Sequence, residues 1–224
     1  MPIFFQHQIN DTTRLGIWKI EESEEFFKGN VPQHRDVTHP HKRLQHLAGR
    51  FLLQFLFPDF PYALIRIADT RKPFLPNELF HFSISHCGDY AAAIVSKDRR
   101  VGIDVEIPTP KIERIKAKFL KEEEFKIFSI GVLSDTIHPD SYRDSMLNPQ
   151  RSTLNPQLLT LLWSCKESVF KWYGNGNVDF REHIRLHELH EGTETIDCFF
   201  SKASQPLTIH YRRFDHLVLA WVMS

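Results

Sequence analysis

Val101-Gly102-Ile103-Asp104-Val105-Glu106-Ile107 reads as a β-strand, and its alternation organises the rest of the chain. Successive strand side chains point to opposite faces. Val101, Ile103, Val105 and Ile107 therefore form one apolar face, while Gly102, Asp104 and Glu106 share the other. Two neighbouring carboxylates repel, and a fold keeps such a pair when a cation offsets the repulsion. An oxygen-preferring Mg²⁺ suits the pair, with Gly102 leaving room beside it. A solvated strand face is the plain alternative for an isolated D-x-E, so the neighbouring sequence has to decide.

Phe80-His-Phe-Ser-Ile-Ser-His86 alternates strictly, with Phe80, Phe82 and Ile84 inward and Ser83 and Ser85 on the opposite face. Cys87-Gly-Asp89 gives a turn, Tyr90–Ser96 a second strand, Lys97–Arg100 another turn, and Val101–Ile107 the third strand of an antiparallel meander. Upstream, Leu44, Leu47, Ala48, Phe51, Leu52, Phe55 and Leu56 recur at helical spacing, which predicts a helix over His41–Phe57. Arg43, His46 and Arg50 line one flank of it.

Pro108-Thr-Pro110 marks a boundary between residues 1–108 and 109–224. Lys111–Phe128 has a helical pattern. Gly131–Gln157 is polar and proline-punctuated, which predicts an exposed insertion dispensable for stability. Thr160–Tyr173 returns to a helix, stopped by Gly174-Asn-Gly-Asn177. Strands are expected around Ile184–Leu189, Thr195–Phe200, Leu207–Arg212 and His216–Val222. The class is α+β, with a helix and antiparallel strands in each half.

Twenty-eight basic and 28 acidic residues give zero formal charge, which argues against a general nucleic-acid binder. Any polyanion site must be local. Cys87, Cys165 and Cys198 lack metal-ligand spacing and read as free thiols of a reducing compartment. The start of the chain lacks signal-peptide character, and no apolar run is long enough for a membrane span. A cytoplasmic protein is expected.

Trp163-Ser-Cys-Lys-Glu-Ser-Val-Phe-Lys171 carries the second chemical signal. Trp163, Glu167 and Lys171 lie four residues apart and share a helix face. Alone, Glu167 before Lys171 is an ordinary surface ion pair worth about 0.2–0.5 kcal/mol. Taken with Gly102-Ile-Asp-Val-Glu106, and with Glu106 and Glu167 separated by 61 positions, the two stretches resemble the paired signature of the 4′-phosphopantetheinyl transferase superfamily. Lys72-Pro-Phe74, Phe82-Ser-Ile-Ser-His86 and His41–Arg50 stand where that family carries further motifs. The length resembles that of its pseudodimeric group, typified by the surfactin synthetase activator.

The resemblance implies two similar subdomains, each a helix packed on an antiparallel sheet and related by a pseudo-two-fold. It implies a monomer that binds coenzyme A and Mg²⁺ in the cleft between them. The reaction moves the 4′-phosphopantetheine arm onto a serine of an apo acyl or peptidyl carrier protein of fatty-acid, polyketide or nonribosomal peptide synthesis, releasing 3′,5′-ADP. Asp104, Glu106 and Glu167 would be metal ligands. Glu167 would also be the base for the serine, and Lys171 would hold the pyrophosphate. Ser85 and His86 would contact the 3′-phosphate region, Lys72 would lie near the nucleotide phosphates, and Arg43 and Arg50 of the basic helix would also bind coenzyme A. A non-catalytic coenzyme A or nucleotide-binding module and a metal-dependent pyrophosphate hydrolase are the competing readings.

Overall fold

The computed structural model describes residues 3–32, 36–134 and 154–224, with side chains of 130–134 left aside. A hairpin opens the chain, β1 (Ile3–Gln8) and β2 (Thr13–Lys19). After α1 (Glu24–Lys28) comes the long helix α2 (Pro40–Leu56). A short hairpin, β3 (Arg66–Ile67) and β4 (Pro73–Phe74), precedes β5 (His81–Cys87), β6 (Tyr90–Ser96) and β7 (Val101–Glu106). The 3-10 turn Pro110–Ile115 leads into α3 (Lys116–Phe119), α4 (Glu122–Ser134), α5 (Pro156–Tyr173) and α6 (Phe180–His183). The chain ends in β8 (Ile184–His190), β9 (Thr195–Phe200), β10 (Gln205–Phe214) and β11 (Leu217–Met223).

The strands form two main antiparallel sheets, ordered β1-β2-β6-β5 and β7-β11-β10-β9-β8. The apolar pattern of each strand stacks these into four layers. Gly16, Trp18, Ala91, Ala93, Phe82 and Ile84 turn toward α2, where Leu47, Leu52 and Leu53 close one core. Leu15, Ile17, Ala92 and Ile94 meet Val101, Ile103, Val105, Leu217 and Leu219 between the sheets. Ala220 and Val222 face away from that layer and pack under Leu162, Cys165 and Val169 of α5. The expected α+β class is therefore what the chain adopts, with one long helix on the outer face of each sheet.

Strand β7 departs from expectation. It is not the third strand of a meander. It leaves β6 and pairs with β11, from Glu106 opposite Val218 to Val101 opposite Met223. Both faces of Val101–Val105 are buried, so the strand needs cover on two sides, and the second sheet with α5 provides it. Membership of the two sheets thus changes in the turn at 97–100 rather than at residue 108.

Two helical expectations also shift. The pattern over Lys111–Phe128 is broken at Leu120, which is extended and buried, so it yields the 3-10 turn, α3 and α4 in succession. Helix α5 begins at Pro156 instead of Thr160. Asn155 caps it by accepting from Leu158 N at 2.8 Å, and Leu154 is already in the core. Of the expected insertion, residues 131–134 belong to α4 and 154–157 to the cap and first turn of α5. Residues 135–153 lie outside the described residues.

Candidate active site

Gly102 sets how closely α5 approaches β7. A Cβ there would lie 2.0 Å from the Ser168 carbonyl oxygen and 2.6 Å from Trp172 N. The missing side chain makes room for helix backbone, not for an ion, which corrects the sequence reading. Gly102→Ala is expected to push the helix outward and cost about 1–3 kcal/mol by overpacking. A denaturant midpoint indistinguishable from the parent would contradict this close approach.

With α5 seated this way, its functional face runs antiparallel along β7. Trp163 lies near enough to Glu106 to ease its charge, and eight residues on Lys171 Nζ lies 2.6 Å from Asp104 Oδ1. The i,i+4 spacing of Trp163, Glu167 and Lys171 thus serves contacts to the strand. Lys171 pairs with Asp104 across the domain rather than forming the surface pair with Glu167 that the spacing alone suggests.

Ser85 comes from β5, across the edge of β7. Its Oγ donates to Asp104 Oδ1 at 2.7 Å and accepts from Lys171 Nζ at 2.8 Å. Two residues before, and so on the same face, Ser83 Oγ accepts from Ile103 N at 3.2 Å and satisfies a ladder donor on the edge of the sheet. The alternating serines therefore weld the two sheets at this point. His86, next along β5, alternates to the other face and is exposed.

The acidic cluster is under electrostatic load. Asp104 is 2 % exposed, and its Oδ2 is buried with no hydrogen-bond partner. Burial, and then the Asp104 charge, push the Glu106 carboxyl above its usual range, with Cys87, Lys171 and Trp163 easing it. Glu167 is pushed up to about 7, first by burial and then by Asp104 and Glu106, while Lys171 pulls the other way. A cluster in which the Asp104 charge raises Glu106 and both raise Glu167, together with the orphaned buried Asp104 oxygen, fits a hard divalent cation with oxygen ligands. Their ligand atoms are not drawn as close together as those of Glu188, His190 and Asp197, which among the described residues form the three-ligand set within 4.8 Å of one another. That set lies on β8 and β9, where His190 bridges to Asp197 at 3.1 Å.

Two cavities flank the cluster. The first, about 230 Å³, is lined by Arg71, Lys72, Phe82, Ile84, Phe170 and Lys171 among others. Its mix of cations and aromatic rings suits a nucleotide with phosphates. The second, about 290 Å³, lies on the Glu106 side between Ile112, Ile115, Thr160 and Trp163. Lys72 reaches the first cavity, but its Nζ also donates to Lys171 O at 2.6 Å and Trp172 O at 3.3 Å.

The basic flank of α2 is placed differently. Arg43 is held by a two-pronged contact with Glu24, at 2.7 and 2.8 Å, and by Val37 O at 2.8 Å. Arg50 is buried and donates to His46 Nε2 at 3.1 Å. Neither lines the two cavities.

Sequence reasoning missed the buried Lys166–Glu124 pair. Lys166 is 0 % exposed and bonds Glu124 Oε2, Phe180 O and Ile184 O at 2.9, 3.0 and 2.7 Å. Its position was readable, since Lys166 falls on the apolar stripe between Leu162 and Val169.

A paired carboxylate strand, a helix carrying a third carboxylate and a lysine, and a basic cavity beside them are groups of the kind that phosphoryl transfer draws on. Residues 100–222 match the family model of the 4′-phosphopantetheinyl transferase superfamily, and the chain belongs to that family. It is 32% identical over 134 residues to enterobactin synthase component D of Salmonella austin, covering 60% of this chain and 49% of that protein. The Escherichia coli K12 protein of the same name is 28% identical over 144 residues, with 63% and 60% covered. The 4′-phosphopantetheinyl transferase AcpT of the same strain is 27% identical over 163 residues, with 69% and 73% covered. The chain thus spans about half the length of the first of these relatives. No described helix is long and apolar enough to cross a membrane.

Proposed function

We propose that this chain transfers the 4′-phosphopantetheine arm of coenzyme A to a serine hydroxyl of an apo acyl or peptidyl carrier protein, with Mg²⁺ and release of 3′,5′-ADP. The observation that carries it is the convergence of Asp104, Glu106, Glu167 and Lys171 between a basic nucleotide-sized cavity and a second cavity on the opposite side. A binding module has no use for a carboxylate poised near neutrality between two carboxylates and an ammonium.

Asp104, Glu106 and Glu167 would hold the Mg²⁺, which when bound would draw charge from the pyrophosphate oxygens. The nucleotide lies in the cavity lined by Arg71, Phe170 and Lys171. The incoming hydroxyl approaches from the Glu106 side. Glu167 accepts the serine proton at its carboxylate as the serine oxygen bonds to the β-phosphorus. The bond from that phosphorus to the bridging oxygen breaks, and Lys171 offsets the charge appearing on the leaving α-phosphate. Ser85 keeps Lys171 and Asp104 in register.

The test incubates the protein with coenzyme A, Mg²⁺ and an apo carrier protein and reads intact mass. Carrier gaining one phosphopantetheine, with loss of transfer on chelation and recovery on Mg²⁺ addition, is the expected outcome. Coenzyme A cleaved with the carrier unmodified would instead identify a hydrolase, and no turnover a binding module.

A further inference from the structure

The turn between β3 and β4 is built to grip the end of α5. Ala68 N donates to Lys72 O at 2.9 Å and Arg71 N to Ala68 O at 2.8 Å, with Arg71 in the left-handed region at φ 67°. This compact turn aims two side chains at a helix end about a hundred residues away. Lys72 Nζ donates to the carbonyls of Lys171 and Trp172, and Thr70 Oγ1 donates to Gly174 O at 2.9 Å. The last carbonyls of a helix have no partner within it, and a cation is favoured there by the helix dipole. Gly174 completes the fit. It takes φ 73° as the C-terminal cap, and a Cβ on it would meet Lys72 Cδ at 2.5 Å and Nζ at 2.6 Å. The Lys72 ammonium is lowered to about 8, by burial and then by Arg100 nearby, so it sits in a confined place rather than waving in solvent.

Lys171 is therefore held at both ends. Its carbonyl lies under Lys72, while its ammonium contacts Asp104 Oδ1 and Ser85 Oγ. Glu167 is one turn earlier on the same helix face. We infer that Lys72 is a positioning residue: its grip on the Lys171 and Trp172 carbonyls fixes the end of α5, so that the Lys171 ammonium is presented to the acidic cluster. This inference rests on the transferase reading for its kinetic arm and on the geometry alone for its structural arm.

Three variants test it: Lys72→Met, which keeps the stem and removes the donor, Lys72→Arg, and Gly174→Ala, which disturbs the grip from the helix side. The structural arm is amide hydrogen exchange at Gly174, whose N–H bonds Phe170 O at 3.0 Å. Exchange at least ten times faster in Lys72→Met and Gly174→Ala, and near-parental in Lys72→Arg, is expected. Unchanged exchange in Lys72→Met overturns the inference whatever the protein's activity. The kinetic arm measures coenzyme A affinity by calorimetry and turnover at saturating coenzyme A. Turnover reduced about tenfold or more in Lys72→Met and Gly174→Ala, with affinity within about threefold of the parent and recovery in Lys72→Arg, supports positioning. Affinity lost in Lys72→Met with saturated turnover intact would make Lys72 a direct phosphate ligand and overturn it. A parent protein that neither binds coenzyme A nor modifies a carrier would sink the transferase reading, while the exchange result still decides the grip.

Discussion

Lys166→Met is expected to cost the fold about 3–5 kcal/mol, the loss typical of breaking a buried ion pair from one side. Lys166 has no exposed surface, and its ammonium reaches one carboxylate and two carbonyls. Burial lowers its pKa, and Glu124 is what opposes that shift. Glu124 in turn accepts from Lys121 N at 2.8 Å and Leu186 N at 2.9 Å, so the pair ties together the start of α4, the middle of α5 and the start of β8. Removing the ammonium strands a buried carboxylate and two carbonyls at once. Chemical denaturation of the parent and variant at constant m-value is the measurement. The double variant Lys166→Met with Glu124→Gln should fall well short of the sum of the two single losses, because the stranded charge is then gone. A single-variant loss below about 1 kcal/mol would show that water or a neighbour already compensates the site.

The sequence made the candidate site more legible than the connectivity. Period-2 alternation located β5, β6 and β7, and the four-residue spacing of Trp163, Glu167 and Lys171 picked out the helix face that meets Asp104 and Glu106. Alternation, however, assigns faces and not partners. Nothing in Val101–Glu106 distinguishes pairing with β6 across a four-residue turn from pairing with β11, more than a hundred residues away. The buried second face, shown by Gly102 against Trp172, is the physical reason for the distant choice. The hairpin β1–β2 escaped for a related reason, since Ile3-Phe-Phe5 is a continuous apolar run in which period 2 is hidden. Arg43 illustrates the limit for charged side chains. Helical spacing placed it on the flank of α2, but whether that flank faces a ligand or Glu24 depends on where α1 docks.

Glu167→Gln is expected to abolish most transfer and yet stabilise the metal-free protein above neutral pH. The activity loss should be about 10²–10⁴-fold, the range for removing a general base, with coenzyme A affinity retained because the nucleotide cavity does not include this residue. The stability effect follows from the folded-state carboxyl, raised to about 7 by burial and by Asp104. A raised carboxyl binds its proton more tightly folded than unfolded. Its contribution is therefore complete below the unfolded value near 4.5 and is lost as pH rises through 7. Glu106 is displaced in the same direction, so the two add. Between pH 5 and 8 the metal-free parent should lose on the order of 2 kcal/mol through Glu167, and Mg²⁺ should restore much of it by binding only the folded state. The glutamine carries no charge at any of these pH values, so the variant should show a shallower slope and respond less to Mg²⁺. Thermal denaturation at pH 5, 6, 7 and 8, with chelator or excess Mg²⁺, tests this without any turnover. Parallel pH slopes for parent and variant would mean that Glu167 carries no strain from the cluster. Near-parental carrier modification would remove it as the base and leave Asp104, Glu106 and Lys171 to account for the chemistry.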